Sequence, residues 1–446
     1  MTTSSTPLTV TFGPSTVTTT TDITNKRWKV VETGGDVATV KVSLATADLA
    51  SLPALAGNDA YVMIIASDAA FTTGIDMVFL NTNGTNQECF YDFDGTKYIA
   101  FGVAHEVVLP RHITIDGVDD AVRVDNKNDL TGAFTIMAWA RPTGANNATS
   151  DKTIVSKHNG TTGYRLVIQN DNKIRMEWNG ASLISNTTLP NNIWHNIAAV
   201  YTAGTLSLYI DGVLDRTGAM AAPTATTSIF TIGAEYRNKN SIVNIFKGDL
   251  DELRIWNRGL AVSEIRYIMN QEIASSGANT LGKIMPSTVT KNDISALTWA
   301  SLTAYYSMNS YIGTHINDNS LNKNRGNLVN PSKIDINTQT APMPYDSNAT
   351  GLWSNTATWT NGTTQDLPYS LSIVDGTTSI DWNIVRTAHD VTSTGNKTML
   401  GFFVNANTVF ATNDSKIEVS HFLRLNGKID LQGRSQLVQT LSLIHI

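Results

Sequence analysis

The chain has 446 residues, enough for about two to four domains, and only 16% of them are charged; the Thr, Ser and Asn that replace charges favour water-facing strand positions and turns. Its formal net charge is −6 without a dense run of either sign, so no nucleic-acid partner is expected, because such affinity depends on clustered Lys and Arg. No stretch approaches the roughly 18 apolar residues of a membrane-spanning helix, so no membrane insertion is expected.

Residues 1–110 are expected to form an N-terminal β-sandwich-like domain. Apolar and polar residues alternate there in short runs separated by turn residues, at 28–31, 37–42, 61–65 and 97–101. Cys89 is the only cysteine, which excludes an intrachain disulfide, and its aromatic surroundings predict a small buried residue. The first residues lack the basic and apolar regions of a signal peptide, so we expect the numbering to begin inside a longer chain.

Residues 111–275 carry the clearest strand pattern. Residues 173–178 alternate perfectly, with Ile174, Met176 and Trp178 on one face and charged residues on the other, which is typical of a strand between a core and water. Asn-Gly at 179–180 and Asp-Gly at 211–212 predict two-residue hairpin turns. One short helix is predicted over 261–270.

The remaining residues are harder to interpret. Residues 276–345 are expected to be an irregular connecting segment, with a possible strand at 302–308, a loop at 324–333 and a linker at Pro342 and Pro344. Residues 346–446 are expected to form a C-terminal β-rich module, either a sandwich or the first rungs of a β-helix. The last six residues resemble a translated sequencing adapter, so this module is expected to be truncated.

Several motifs between residues 113 and 270 occur in a familiar order. They are the Asp-Gly opening at 115–122, Phe-Thr-Ile-Met-Ala-Trp at 134–139, the pair at 194–201 and 208–212, and the closing run at 248–257. These residues resemble a laminin G-like jelly roll of the concanavalin A-like superfamily. The resemblance implies an all-β fold, an antiparallel β-sandwich (jelly roll) flanked here by further small β domains.

The flanking blocks resemble modules of large surface proteins exported by gliding bacteria of the Bacteroidota. This second resemblance rests on the Trp28 and Tyr98 regions in the N-terminal block and on Trp353, Trp359 and residues 380–385 in the C-terminal block. It implies an extracellular or cell-surface location.

An enzymatic role is not expected, although the superfamily contains glycoside hydrolases. Glycoside hydrolysis normally needs two opposed carboxylates, and the Glu-x-Asp-x-x-Glu signature of the superfamily's glucanases is absent from this chain. The nearest approach is the acidic run at 249–252, which no further Glu follows. Its carboxylates are predicted to serve the fold.

A structural calcium ion is the one cofactor that the resemblance makes plausible, since related domains often hold one where the first and last strands join. Asp116, Asp119 and Asp251 would come together there if those strands are neighbours, and calcium prefers such oxygen ligands. In the alternative interpretation Asp251 only accepts hydrogen bonds from backbone amides.

The candidate ligand-binding residues are loop aromatics and amides, because sugars stack on aromatic rings and bind amides through their hydroxyls. They are Asn159, Tyr236, Asn238 and Asn240, although Asn is also a routine turn former. Trp139, Trp178, Trp194 and Trp256 lie in predicted strands and are expected in the core. The predicted partner is a glycan or a cell-surface protein; the alternatives are a structural spacer or an accessory domain of a secreted glycoside hydrolase.

Overall fold

In a computed structural model of the chain, the structure describes residues 1–4, 6–13, 15, 17–144, 150–238 and 241–439. The chain forms two compact units. The first consists of residues 1–110, 308–317 and 325–337, and the second of residues 111–307, 318–324 and 338–446. Residues 276–345 were predicted to be an irregular connecting segment. They belong instead partly to the first unit and partly to the second.

Residues 1–110 are almost entirely strands and turns, with one 3₁₀ turn at Thr46–Leu49. The strands are β1 (Leu8–Thr11), β2 (Thr18–Ile23), β3 (Trp28–Val31), β4 (Val40–Ala45), β5 (Ala60–Ala66), β6 (Asp76–Phe79), β7 (Asn81–Asn83), β8 (Asn86–Tyr91), β9 (Thr96–Ala104) and β10 (Glu106–Val108).

Two sheets enclose the core of this block. One has the order β1-β2-β9-β5-β6, with β3 also beside β9, and the other has the order β4-β8-β7. Cys89 lies between them at 1% exposure, as predicted, and burial raises the pKa of its thiol to about 11. The thiol is therefore a small apolar group of the core rather than a nucleophile.

Residues 111–256 form fourteen strands. They are β11 (Arg111–Asp116), β12 (Ala121–Val124), β13 (Phe134–Pro142), β14 (Lys152–His158), β15 (Gly163–Ile168), β16 (Lys173–Trp178), β17 (Ala181–Thr188), β18 (His195–Thr202), β19 (Thr205–Ile210), β20 (Val213–Ala219), β21 (Phe230–Ile232), β22 (Glu235–Asn238), β23 (Ser241–Val243) and β24 (Lys247–Trp256).

These strands make the predicted antiparallel sandwich. One sheet runs β12-β21-β14-β15-β16-β17, and the other runs β20-β19-β18-β13-β24-β11. The first strand β11 pairs with the last strand β24, and β22 and β23 form a separate hairpin. Asn179 and Asp211 adopt φ of 51° and 50° before their glycines, the left-handed conformation that two-residue hairpin turns require.

The four strand tryptophans are buried, as predicted. Trp139, Trp178, Trp194 and Trp256 are at most 2% exposed. Trp178 packs edge-on against Phe134 and Tyr201, and Trp194 packs edge-on against His112. The indole N–H of Trp139 donates to Met269 O at 2.7 Å. Trp178 follows the alternation of β16, which buries one face, whereas β13 and β24 bury residues on both faces.

Residues 257–338 contain the only α-helix of the described residues and several short strands. The elements are α1 (Val262–Met269), β25 (Ile273–Ser276), β26 (Asn279–Gly282), a 3₁₀ turn at Trp299–Ser301, β27 (Leu302–Tyr306), β28 (Ser310–Ile312), β29 (His315–Ile316), β30 (Gly326–Val329) and β31 (Asp335–Thr338). Helix α1 confirms the prediction over 261–270. The predicted loop at 324–333 instead contains β30, which belongs to the first unit with the order β10-β28-β29-β30.

The C-terminal block is a parallel β-helix, the second of the two predicted alternatives. Its strands are β32 (Tyr345–Asp346), β33 (Gly351–Leu352), β34 (Ile384–Thr387), β35 (Val391–Thr394), β36 (Lys397–Val404), β37 (Val409–Asn413), β38 (Lys416–Leu425), β39 (Lys428–Gln432) and β40 (Gln436–Gln439), with a 3₁₀ turn at Thr356–Thr358. They stack as two parallel sheets, β32-β34-β36-β38-β40 and β33-β35-β37-β39.

The β-helix and the sandwich share one hydrophobic core within the second unit. Trp256 of β24 and Ile265 of α1 belong to the same buried cluster as Trp382, Leu400 and Phe403 of the β-helix. Pro342, predicted to mark a linker, accepts a hydrogen bond from buried Asn270 at 2.9 Å. The segment before the β-helix is therefore part of the packed structure.

Among the described residues, no helix has the length and apolar character that crossing a membrane would require.

Candidate functional site

Charged side chains cover the water-facing side of strands β15 and β16. Arg165 lies opposite Glu177 in the strand register and donates from Nε to its Oε1 at 2.5 Å. Arg175 contacts Asp151 and also lies 2.8 Å from Glu177 Oε2. The side chains of these two arginines and two acids are 14–20% exposed, so they are partly open to solvent. Their ion pairs hold them in place. Strand alternation produces this surface, because their neighbours Leu166 and Met176 face the core.

A buried glutamate anchors the β22–β23 hairpin beside this surface. Glu235 is fully buried and contacts His158 Nδ1 at 2.5 Å, Arg165 Nη1 at 2.8 Å, Arg237 Nη2 at 2.9 Å and Asn244 Nδ2 at 2.7 Å. Burial opposes its ionisation, but the hydrogen bond from His158 and the nearby arginine charges hold the pKa of Glu235 below its usual value. A buried charge with four partners fixes the position of the hairpin.

The hairpin carries two of the predicted ligand-binding residues. Tyr236 is half-buried and lies opposite Ile242, and Asn238 is exposed at the hairpin end. Arg237 lies against Gly160, whose φ of 101° is a conformation that favours glycine. Tyr236 and Asn238 were expected in a loop but lie in strand β22, which pairs with β23; Asn240 lies outside the described residues.

Asn159 belongs to the turn beneath the hairpin. Its side-chain oxygen accepts hydrogen bonds from the backbone N–H groups of Thr161 and Thr162 at 3.1 and 3.0 Å. This is the turn-forming role that the sequence left open as an alternative. The structure thus brings the regions of Asn159, Tyr236 and Asn238 to one rim of the sandwich, with the carbonyl of Asn159 engaged in holding the turn.

Three carboxylates cluster in the turn between β11 and β12. One oxygen from each of Asp116, Asp119 and Asp120 lies within 4.8 Å of the others. Asp116 is exposed and accepts from Val118 N–H at 2.7 Å, whereas Asp120 is 1% exposed. Burial, with the nearby charge of Asp116, raises the pKa of Asp120 to about 6.

Asp251 does not join this cluster, although β11 and β24 are neighbours as expected. The register sets Asp116 opposite Lys247, so Asp251 lies four residues farther along β24, about 13 Å away at a strand's rise per residue. Asp251 is fully buried and accepts hydrogen bonds from Gln339 at 2.9 Å and from the Glu252 N–H. Asp120 takes the place in the cluster that the sequence assigned to Asp251.

The other carboxylates of the acidic run at 249–252 are committed to buried partners. Asp249 is 2% exposed and contacts Arg141 Nη2 at 2.5 Å and Thr114 Oγ1 at 2.5 Å. Glu252 is 2% exposed and bonds to Arg254 and Tyr305. Acids in this environment hold the fold together and do not face a groove.

Sequence reasoning missed Asp120, Glu235 and Arg165 as site residues. A signal existed for the charged surface, because Lys173, Arg175 and Glu177 already alternated with core residues on one strand. No comparable signal marked Glu235, since its partners His158 and Arg165 come from strands β14 and β15, which are far from it in sequence.

Comparison with known families supports the fold of the sandwich. Residues 116–266 match the family model Laminin_G_3, described as concanavalin A-like lectin/glucanases superfamily. No curated protein matches the chain.

Several solved structures are similar at low identity. A putative carbohydrate binding protein from Bacteroides ovatus is 14% identical over 70% of this chain and 95% of that one, with a TM-score of 0.38. A heptameric SAP-like pentraxin from Limulus polyphemus is 14% identical over 48% of this chain and 97% of that one, with a TM-score of 0.30. The CBM40 of the Ruminococcus gnavus IT-sialidase, bound to α2,3-sialyllactose, is 14% identical over 34% of this chain and 94% of that one, with a TM-score of 0.29.

At this identity and these TM-scores the solved structures carry no argument about function. The family match and the two-sheet antiparallel architecture agree on the same stretch of chain. Residues 116–266 therefore form a laminin G-like domain of the concanavalin A-like lectin/glucanases superfamily.

Proposed function

We propose that the sandwich of the second unit is a non-enzymatic glycan-binding module that acts outside the cell or at its surface. The observation that carries the proposal is the anchored hairpin β22–β23, which carries Tyr236 and Asn238 and whose Glu235 contacts Arg165 of the partly exposed charged surface. An aromatic ring flanked by fixed donors and acceptors suits a sugar, whose C–H face stacks on the ring while its hydroxyls form hydrogen bonds.

The anchoring of the hairpin favours binding because it reduces the conformational entropy lost on association. Glu235 holds the hairpin through three cationic or imidazole partners and one amide, and Gly160 lets Arg237 lie directly on the neighbouring turn. The rim is therefore ordered before a ligand arrives.

The carboxylates of the chain support binding rather than hydrolysis. Glycoside hydrolysis needs two acids about 5–9 Å apart on either side of a bound sugar. Asp249, Asp251 and Glu252 are buried and bonded within the protein. Glu177 is partly exposed, but it is paired with Arg165 and Arg175.

Replacing the hairpin aromatic is expected to weaken glycan binding. We expect Tyr236→Ala to lower the affinity for glycans that bind the wild-type chain on a glycan array by at least about tenfold, or about 1.4 kcal/mol, because the stacking surface is lost. Isothermal titration with the best array ligand measures the change.

Tyr98→Ala, at a half-buried tyrosine of β9 in the first unit, is the matched control and should keep full affinity. An array with no bound glycan at all, or equal loss in both variants, would reject the hairpin as the binding site and favour a spacer role. Release of reducing ends from a bound polysaccharide would contradict the non-enzymatic assignment.

We also propose that the acidic cluster of the β11–β12 turn holds a structural calcium ion. Asp120 Oδ1 is buried and has no hydrogen-bond partner among the described residues, and it lies with oxygens of Asp116 and Asp119. Calcium takes six to eight oxygen ligands, so these carboxylates would supply part of the set and backbone carbonyls or water the rest. A bound cation would relieve the repulsion that raises the pKa of Asp120.

The calcium proposal predicts a pH-dependent gain in stability. We expect calcium to raise the melting temperature of the wild-type chain and EGTA to reverse the rise, with the effect lost as pH falls below about 6, where Asp120 takes up a proton. Asp120→Asn should abolish the response, as followed by thermal melting and terbium luminescence.

Asp94→Asn controls for nonspecific ion binding, because Asp94 belongs to a second acidic cluster, with Glu32 and Asp36, in which none of the carboxylates is fully buried. An unchanged melting temperature in calcium, or equal loss of terbium signal in the two variants, would exclude the proposed site.

A further inference from the structure

The sandwich of the first unit is open along one edge. In strands β3 and β4 the inward-facing residues are only half-buried, namely Trp28, Val30, Val40, Val42 and Leu44. Met63 and Ile65, which face the same core from β5, are fully buried. Packed sheets normally bury both inner faces, so this edge lacks a layer of covering atoms.

A cleft of about 1080 Å³ occupies this edge. Its floor is formed by Ile99 and Phe101 of β9, and its walls by the half-buried side chains of β3 and β4. Trp28 packs edge-on against Phe101 at 5.4 Å between ring centroids. The cleft thus opens onto apolar side chains of the core, and Lys26, Lys29 and Asp48 are among the polar residues that line it.

The free edge of β3 borders the cleft. Strands β2 and β3 pair with successive parts of β9, and β1 covers β2 but not β3. Glu32 N–H donates to Gly95 O at 2.9 Å, in the same register that pairs Trp28 with Ile99. Because antiparallel bonding alternates along a strand, the N–H and C=O groups of Lys29 and Val31 point away from β9.

The free edge of β4 borders the opposite wall. Thr46 N–H donates to Thr85 O at 2.8 Å, in the register that pairs Val40 with Tyr91. The backbone groups of Ser43 and Ala45, which line the cleft, therefore point away from β8. Among the described residues, β9 is the only strand that pairs with β3, and β8 the only one that pairs with β4.

We propose that this cleft binds an extended peptide segment of a partner protein, which adds a strand beside β3. The alternate N–H and C=O groups of Lys29 and Val31 would bond to the peptide backbone, and every second peptide side chain would cover Trp28, Val30 and Val42. A strand edge with unpaired backbone groups, next to apolar side chains that no other layer covers, is a site where a further strand can be added.

The charged residues beside the cleft determine which peptide side chains fit at the positions that do not cover the apolar wall. Lys26 and Lys29 are exposed beside the cleft, and Lys26 Nζ lies 5.3 Å from the centre of the Trp28 ring. Asp48 is the one acidic residue that lines it. The fitting peptide therefore alternates apolar residues with acidic ones, which are attracted to the lysines.

The test uses the full chain and a fluorescein-labelled peptide that alternates valine and glutamate. We expect saturable binding by fluorescence anisotropy, at least tenfold tighter than for a peptide of the same composition arranged as one valine block and one glutamate block. Methylation of the peptide's backbone nitrogens should abolish the binding, because the added strand needs its N–H groups.

Two variants at one position separate backbone pairing from side-chain contact. Val31→Pro removes the outward N–H of an edge strand that tolerates proline, whereas Val31→Ala keeps it. We expect Val31→Pro to bind the peptide at least tenfold more weakly than Val31→Ala, with melting curves to confirm that both variants fold.

Equal binding by both variants, or by the alternating and block peptides, would overturn the proposal. So would undiminished binding of the methylated peptide, a result that stands even if Val31→Pro fails to fold. Displacement of the peptide by a fatty acid but not by unlabelled alternating peptide would assign the cleft to acyl chains instead.

Discussion

Replacing Arg254 by methionine is expected to destabilise the second unit by about 3–5 kcal/mol, because the substitution leaves a buried charge without its partner. Arg254 is 1% exposed and donates to Glu252, to Ile268 O at 2.8 Å and to Gln271 O at 2.7 Å. A methionine fills the space but supplies none of these bonds. Guanidinium unfolding of wild type and variant measures the loss.

The loss should depend on pH in a defined direction. The pKa of Glu252 is raised to about 7 overall. Burial raises this pKa most, the charge of Arg254 lowers it, and the charge of Glu272 raises it. Without Arg254 the folded-state pKa of Glu252 rises more. An acid whose folded pKa exceeds its unfolded value of about 4.3 binds protons more tightly when folded, so stability falls as pH rises between the two values. The deficit should therefore be larger at pH 8 than at pH 5.

Two further variants make this prediction specific. Arg216→Met replaces an exposed arginine that donates to Ile184 O, and it should change the free energy of unfolding by less than about 0.5 kcal/mol. Adding Glu252→Leu to Arg254→Met should recover part of the loss, because it removes the unpaired acid. A deficit that is independent of pH and is not recovered in the double variant would mean that Glu252 is not the group left uncompensated.

Trp382→Ala is expected to cost about 3–5 kcal/mol and to uncouple the β-helix from the sandwich. Trp382 is 5% exposed, its indole N–H donates to Asp211 O at 3.0 Å, and the Arg266 guanidinium lies 3.6 Å from its ring centre. Gly212 lies directly against it, since an added Cβ there would come within 3.0 Å of the indole nitrogen. The ring thus joins β19, β20 and α1 to the β-helix.

The effect of Trp382→Ala is measured by denaturant unfolding with two probes, one that reports on the sandwich and one that reports on the β-helix. Wild type should lose sandwich and β-helix structure in a single transition of the second unit, because they share one core. The variant should show separate transitions. Leu371→Ala, at a side chain that is 56% exposed, is the control and should behave as wild type. A single unshifted transition in Trp382→Ala would contradict the role assigned to the shared core.

Much of the sandwich was predictable because its strands bury one face. The alternation at 173–178 predicted β16, and the Asp-Gly pair at 211–212 predicted the turn between β19 and β20. The helix predicted over 261–270 is α1, whose apolar residues Ile265, Ile268 and Met269 are buried. In each case neighbouring residues along the chain carry the signal.

The C-terminal block was harder because its pairing is distant in sequence and parallel. Val391 pairs with Phe410, which pairs with Ile429, so each rung depends on residues one full turn away. Short apolar runs of this kind fit a sandwich strand equally well. Residues 276–345 were harder still, because their short strands are completed by partners in other parts of the chain, as β27 is by β24.

The calcium cluster shows how register decides a site. Asp116, Asp119 and Asp251 were grouped because the first and last strands were expected to meet, and those strands do pair. The register, however, sets Lys247 opposite Asp116, and the adjacent Asp120 completes the cluster from within the turn. Strand neighbours can be expected from a family resemblance, but a shift along a strand moves each side chain by about 3.3 Å per residue.

The amino-acid sequence by itself determined the all-β class, the strands and hairpin turns of the sandwich, and the burial of Cys89 and the strand tryptophans, because these follow from local alternation and backbone preference. Only the tertiary structure decided the partners of Glu235, the place of Asp251, the shared core around Trp382 and the open edge between β3 and β4. These depend on register and on contacts between residues far apart in the chain, which the composition of any single segment does not specify.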